Sequence, residues 1–181
     1  MKKILIVVDM QNDFITGSLG SPQAEAIIPN VRTKIEGYRK RGGQVVFTRD
    51  SHDNDYLKTQ EGQILPVEHC IVETHGWEIH GGLDGETEHE KDGCFYVNKK
   101  TFGQLHWDDI LEPYCHPFDE IEMIGVCTDV CVVSNALILK AYFPRVKITV
   151  DASCCAGVTE ESHKAALLTM KMSQVNVIND N

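Results

Sequence analysis

The chain has 181 residues, 42% of them hydrophobic and 24% charged, the composition of an ordinary soluble globular protein with room for one sizeable core. Its formal net charge of −10 argues against nucleic acid or an anionic membrane surface as main partner, since both reward clustered Lys and Arg. No segment approaches the roughly 20 apolar residues of a membrane span, and the run Ile4 to Val8 is too short for an export signal before Asp9 and Asp13; the expectation is a cytoplasmic protein, one domain over residues 1–181.

Lys3 to Val8 (KILIVV) is continuous in Ile, Leu and Val and predicts a buried strand. Ser21-Pro22 opens a helix that continues through AEAIIPNVRTKIEGYRKR and stops at Gly42-Gly43. Ala26, Ile27, Val31, Ile35 and Tyr38 recur in it at helical spacing, and Pro29 implies an irregular first turn. Gln44 to Thr48 is a second strand. Residues 50–95 form a long polar segment with five of the eight histidines, expected to carry metal-site candidates and a lid-like insertion. Within it, 83–93 (LDGETEHEKDG) has the composition of a mobile acidic loop.

Phe95 to Asn98 predicts a third strand, Trp107 to Tyr114 a short helix and Glu120 to Val126 a fourth strand. A helix over Asp129 to Tyr142, a strand over Lys147 to Val150, a helix over Glu160 to Met172 and a strand over Gln174 to Ile178 complete the chain. This alternation implies right-handed crossovers and an α/β fold: three αβα layers around a mainly parallel, roughly six-stranded sheet.

In such a sheet functional groups collect beyond the carboxyl ends of the strands. The residues predicted there are Asp9, Asp50 with His52, Lys99, and the turn GVCTDVCVVSNAL (125–137). Its two cysteines could form a disulfide, a metal clip, a redox pair, or a nucleophile with a bystander. Seven cysteines, an odd number at irregular spacings with no CxxC, favour reduced thiols over a disulfide framework or zinc ribbon. Cys131 falls just inside the predicted helix, where unpaired N–H groups favour a thiolate and can stabilise an oxyanion. An ammonium such as Lys99 and a carboxylate such as Asp9 are the groups that would hold the thiolate and carry its proton.

Asp50 and His52 are two apart, so an extended chain sends both side chains to one face. With Glu61 and His69 downstream they make a donor set suited to a divalent zinc, manganese or iron ion. Glu68 is a competing carboxylate.

DMQNDF (9–14), GSLG (17–20), TRDSH (48–52), KKTFG (99–103) and GVCTDVCVVSNAL together resemble the isochorismatase-like cysteine hydrolases, in particular their nicotinamidase branch. The resemblance implies a catalytic triad of Asp9, Lys99 and Cys131, with Lys99 chosen over Lys100 by its spacing from Phe102. It also implies a cis peptide before Cys127, with the backbone N–H groups of Cys127 and Cys131 as oxyanion hole. Asp50, His52, Glu61 and His69 match a metal set, zinc first among the ions, that receives a pyridine nitrogen. Phe14 and Phe102 are the expected ring-packing residues for a small-molecule amide, and homo-oligomers are expected.

One departure stands out. Many nicotinamidases carry Trp-Pro-Pro-His where this chain has Leu65-Pro66-Val67-Glu68-His69. The stacking tryptophan is missing, and Trp77 is the residue that could replace it. The expected activity is hydrolysis of nicotinamide or a related small amide through a thioester. Vinyl-ether hydrolysis of an isochorismate-like acid and a non-enzymatic binding role are the rivals. The sequence assigns no role to Cys154-Cys155.

Overall fold

The structure, a computed structural model, describes residues 3–85, 94–115 and 118–180. The expected acidic loop from residue 86 onward lies outside the described residues. A six-stranded, all-parallel sheet runs in the order β3-β2-β1-β4-β5-β6. At its centre β1 (Lys3–Val8) pairs with β2 (Gln44–Asp50) and β4 (Glu120–Val126). Outside these lie β3 (Cys94–Lys99), β5 (Lys147–Ala156) and β6 (Asn176–Ile178).

A central parallel strand is covered on both faces, which is why Ile4 to Val8 of β1 is continuously apolar rather than alternating. Ile4, Ile6 and Val8 enter one core with Trp107, Leu139 and Met170, whereas Leu5 and Val7 enter the other with Val31, Ile35 and Tyr38. The first layer is built by α5 (Trp107–Cys115), α6 (Val133–Tyr142) and α7 (Glu160–Met172). The second is built by α2 (Pro22–Ala26) and α3 (Ile28–Lys40), with the short α1 (Asn12–Ile15) beside them. A further short helix, α4 (Gln60–Ile64), lies in the polar segment.

The expected helix from Ser21 onward is two helices, parted at Ile27, because Pro29 cannot donate to the preceding turn. Strand β5 runs on to Ala156, past its apolar run, as the small residues DASCCA continue pairing with β4 across a register shift between Met123 and Gly125. Among the described residues no helix is long and apolar enough to cross a membrane.

The strand order reverses between β1 and β4, and the crossovers leave to opposite faces there, opening a crevice at the carboxyl ends. Gly125 keeps these strands tight. Its φ is +119°, and a Cβ there would stand 2.1 Å from the Val8 carbonyl oxygen.

Candidate active site

The crevice receives one chemical group from each of four strands. Asp9 follows β1 with φ +48°, Asp50 ends β2, Lys99 ends β3, and Cys127 to Cys131 follow β4. The chain leaves β4 through a cis peptide, Val126–Cys127, and enters a single π-helical turn, Thr128–Val132, that continues into α6.

Asp9 and Lys99 are buried completely at the side chain, with Lys99 Nζ 2.7 Å from Asp9 Oδ2. Thr48 Oγ1 donates to Asp9 Oδ1 at 2.6 Å. Lys99 Nζ also stands 3.5 Å from Cys131 Sγ and 3.4 Å from Asp50 Oδ1. One ammonium therefore touches the thiol and both carboxylates. Lys100 points away, 69% exposed and paired with Asp53.

Burial would depress the Lys99 ammonium, but Asp9, Cys131 and Asp50 outweigh it and hold it charged. Burial raises the Asp9 carboxyl and Asp50 raises it further, against the pull of Lys99. The Cys131 thiol is pushed well above its usual range, by burial first and by Asp9 next, with Lys99 opposing. The helix start was expected to favour thiolate; at 5% exposure desolvation outweighs it. Burial thus disfavours the thiolate, and the Asp9 carboxylate stands where it can take the thiol proton.

Beyond Lys99 stands a second group: Asp50, His52, Glu61 and His69 present ligand atoms all within 4.8 Å of one another. Asp50 Oδ2 is 3.0 Å from His52 Nε2 and 3.6 Å from His69 Nε2, and Glu61 Oε1 is 3.7 and 3.8 Å from the same two nitrogens. His69 Nδ1 donates to the Val67 carbonyl oxygen at 2.8 Å, which turns Nε2 to the cluster. Two imidazoles and two carboxylates with that orientation fit a divalent ion. Burial would raise the Asp50 carboxyl, yet His52, His69 and Lys99 hold it well below the usual carboxylate range. Glu68 is not in this group.

A pocket of about 380 Å³ opens beside Cys127, lined by Phe14, Leu19, Leu65, Val126 and Val158 among others. The Phe14 ring lies 5.6 Å from that of His69. Phe102 does not line this pocket; it is 46% exposed, and its carbonyl accepts from Asn135 Nδ2. Trp77 does not line it either. Its indole donates to Ser51 Oγ at 2.8 Å and lies under the Arg49 guanidinium at 3.8 Å.

Three supporting residues escaped the sequence analysis. Gln11 accepts from the Asp50 N–H (2.7 Å) and donates to the Asp50 and Trp77 carbonyls (2.9 Å each), fixing the end of β2. Asn135 donates to the Cys131 and Phe102 carbonyls and accepts from the Gln104 N–H. Asp13 accepts from the Cys70 N–H at 2.8 Å. Gln11 and Asp13 lie inside DMQNDF itself, so the motif held the signal.

The isochorismatase domain model matches residues 3–180. A Bacillus subtilis (strain 168) protein named "uncharacterized isochorismatase family protein PncA" is 31% identical over 92% of this chain and 93% of its own. An Arabidopsis thaliana protein named "probable inactive nicotinamidase" is 30% identical over 92% and 87%. Among solved structures, the nicotinamidase PncA from Bacillus subtilis superposes with TM-score 0.84 at 28% identity, covering 98% of this chain and 99% of that one. The pyrazinamidase of Pyrococcus horikoshii in complex with zinc superposes with TM-score 0.80 at 25% identity, covering 98% and 99%.

Proposed function

The chain belongs to the isochorismatase family, and on that premise we propose that it is a cysteine-dependent amidase, hydrolysing nicotinamide or a related small primary amide to the carboxylic acid and ammonia. The observation that carries this reading is the closed contact of Asp9, Lys99 and Cys131, with one ammonium against thiol and carboxylate.

Cys131 Sγ attacks the amide carbonyl carbon as Asp9 accepts the thiol proton. The sulfur–carbon bond forms while the carbonyl oxygen takes up negative charge beside the backbone N–H groups of Cys127 and Cys131. The intermediate collapses, the carbon–nitrogen bond breaks, and the proton on Asp9 goes to the departing ammonia. Water then adds to the thioester, giving its proton to Asp9, and Sγ leaves with that proton returned. Lys99 keeps its charge throughout and holds the two reacting groups in register. Asp50, His52, Glu61 and His69 would hold a divalent ion, zinc first, which when bound supplies a Lewis acid for a substrate lone pair.

Ammonia release from nicotinamide and a panel of small amides tests the reading. Wild-type turnover is expected, with a loss of at least about 10³-fold in kcat for Cys131→Ala and an unchanged circular dichroism spectrum. Full activity in that variant would sink the mechanism. Hydrolysis of a vinyl-ether acid that survives chelation would replace the amide with the isochorismate-type substrate.

A further inference from the structure

The pocket beside Cys127 differs in kind from the charged cluster behind it. Among the described residues that line it, Phe14 is the one aromatic, and none is charged. Ser21 supplies the one hydroxyl in the wall, and its Oγ already accepts from the Ala24 N–H at 3.1 Å as the cap of α2. The Cys127 thiol, pushed up to about 12 by burial and then by Asp129, stays neutral. A charged substituent placed here would lose its water and find no counter-charge in the wall.

The mouth is apolar as well. Leu65 is 37% exposed and Val158 66% exposed. Both are held by their backbones. The Leu65 carbonyl accepts from Tyr56 Oη at 3.0 Å, and the Val158 N–H donates to both Asp129 carboxylate oxygens at 3.0 and 3.1 Å. A fixed, wet, aliphatic lip gains by being covered. None of Asp50, His52, Glu61 and His69 lines this pocket; the Phe14 ring, which does line it, is 5.6 Å from that of His69. A group seated among these side chains meets none of the candidate metal ligands and needs no ring nitrogen to be held.

We infer, resting on the amidase reading above, that this pocket receives the acyl group of the substrate and selects uncharged primary amides with an extended aliphatic acyl chain over flat heteroaryl amides. Leu65 and Val158 are the residues that set the preference. A flat ring gains most from an aromatic face on each side, and this pocket offers one. A flexible chain gains with each methylene that it buries.

The test is kcat/KM for ammonia release across acetamide, butanamide, hexanamide and nicotinamide, with the intact, zinc-supplemented protein. The expected result is a rise of about three- to fourfold per methylene, the value of a buried CH₂, with hexanamide ahead of nicotinamide by tenfold or more. In Leu65→Asn and, separately, Val158→Asn the gain per methylene should shrink, and Leu65→Trp should raise nicotinamide relative to hexanamide. Nicotinamide turned over faster than every aliphatic amide would overturn the inference and leave the amidase standing. A flat aliphatic series would do the same. Release of ammonia from none of the amides would overturn both.

Discussion

Lys99 and Lys100 are neighbours with opposite surroundings. One is sealed against Asp9, Asp50 and Cys131, the other lies in solvent beside Asp53. Lys99→Ala leaves buried carboxylates without their counter-charge, so both fold and chemistry should suffer. A kcat lower by about 10²–10⁴-fold is expected, whereas Lys100→Ala should stay within about twofold of wild type, because exposed ion pairs contribute little. Equal losses in the two variants would overturn the choice of lysine. Glu120 offers a separate titration. Burial would raise its carboxyl, but Lys3, Thr149 and Lys147 lower it to about 2. A carboxyl depressed on folding stabilises above its unfolded value, near 4.5, and that contribution is lost as pH falls towards 2. Urea midpoints measured against pH should therefore fall across this window in wild type. Glu120→Gln should start lower at pH 7 and converge with wild type by about pH 2; parallel curves would refute the pairing. The lysine was legible from sequence by its spacing. Its grouping with Asp9 and Cys131 followed only from the resemblance, and its contact with Asp50, 49 positions away, from neither.

At the level of the secondary structure, the turn after β4 carries the most chemistry, and the end of β4 that leads into it a very close backbone approach. Gly125 and Val8 approach so closely that a methyl group cannot be fitted, and the φ of +119° disfavours any side chain. Gly125→Ala should destabilise the protein by more than about 4 kcal/mol or prevent soluble expression. A melting temperature within a few degrees of wild type would show that the strands can part cheaply. The strands were legible because a buried parallel strand is a run of Ile, Val and Leu. The tail of β5 was not, because DASCCA has no such run and pairs only through its neighbours. Helices α1 and α4, of four and five residues, are too short for a periodicity to declare itself.

For the protein as a whole, the reversal of strand order between β1 and β4 brings the ends of four strands to one crevice. Asp50 sits where the two groups meet, 3.4 Å from the ammonium and 3.0 Å from His52. Binding of an ion to the native cluster alone stabilises the fold by mass action, about 2.7 kcal/mol at a concentration one hundred times Kd. Zinc should therefore raise the melting temperature of wild type and leave that of His69→Ala unmoved. An equal shift in both would place the ion elsewhere.

Much of this protein could be read from its letters: the α/β class, the parallel sheet, the family, and the residue types gathered in DMQNDF, TRDSH, KKTFG and GVCTDVCV. Those features are local, set by apolar periodicity and by short spacings along the chain. The desolvation of the Cys131 thiol, the turn of Trp77 away from the pocket and the aliphatic walls around Leu65 come from packing between distant segments. Desolvation and contact depend on what the folded chain places nearby, and no window of sequence contains that.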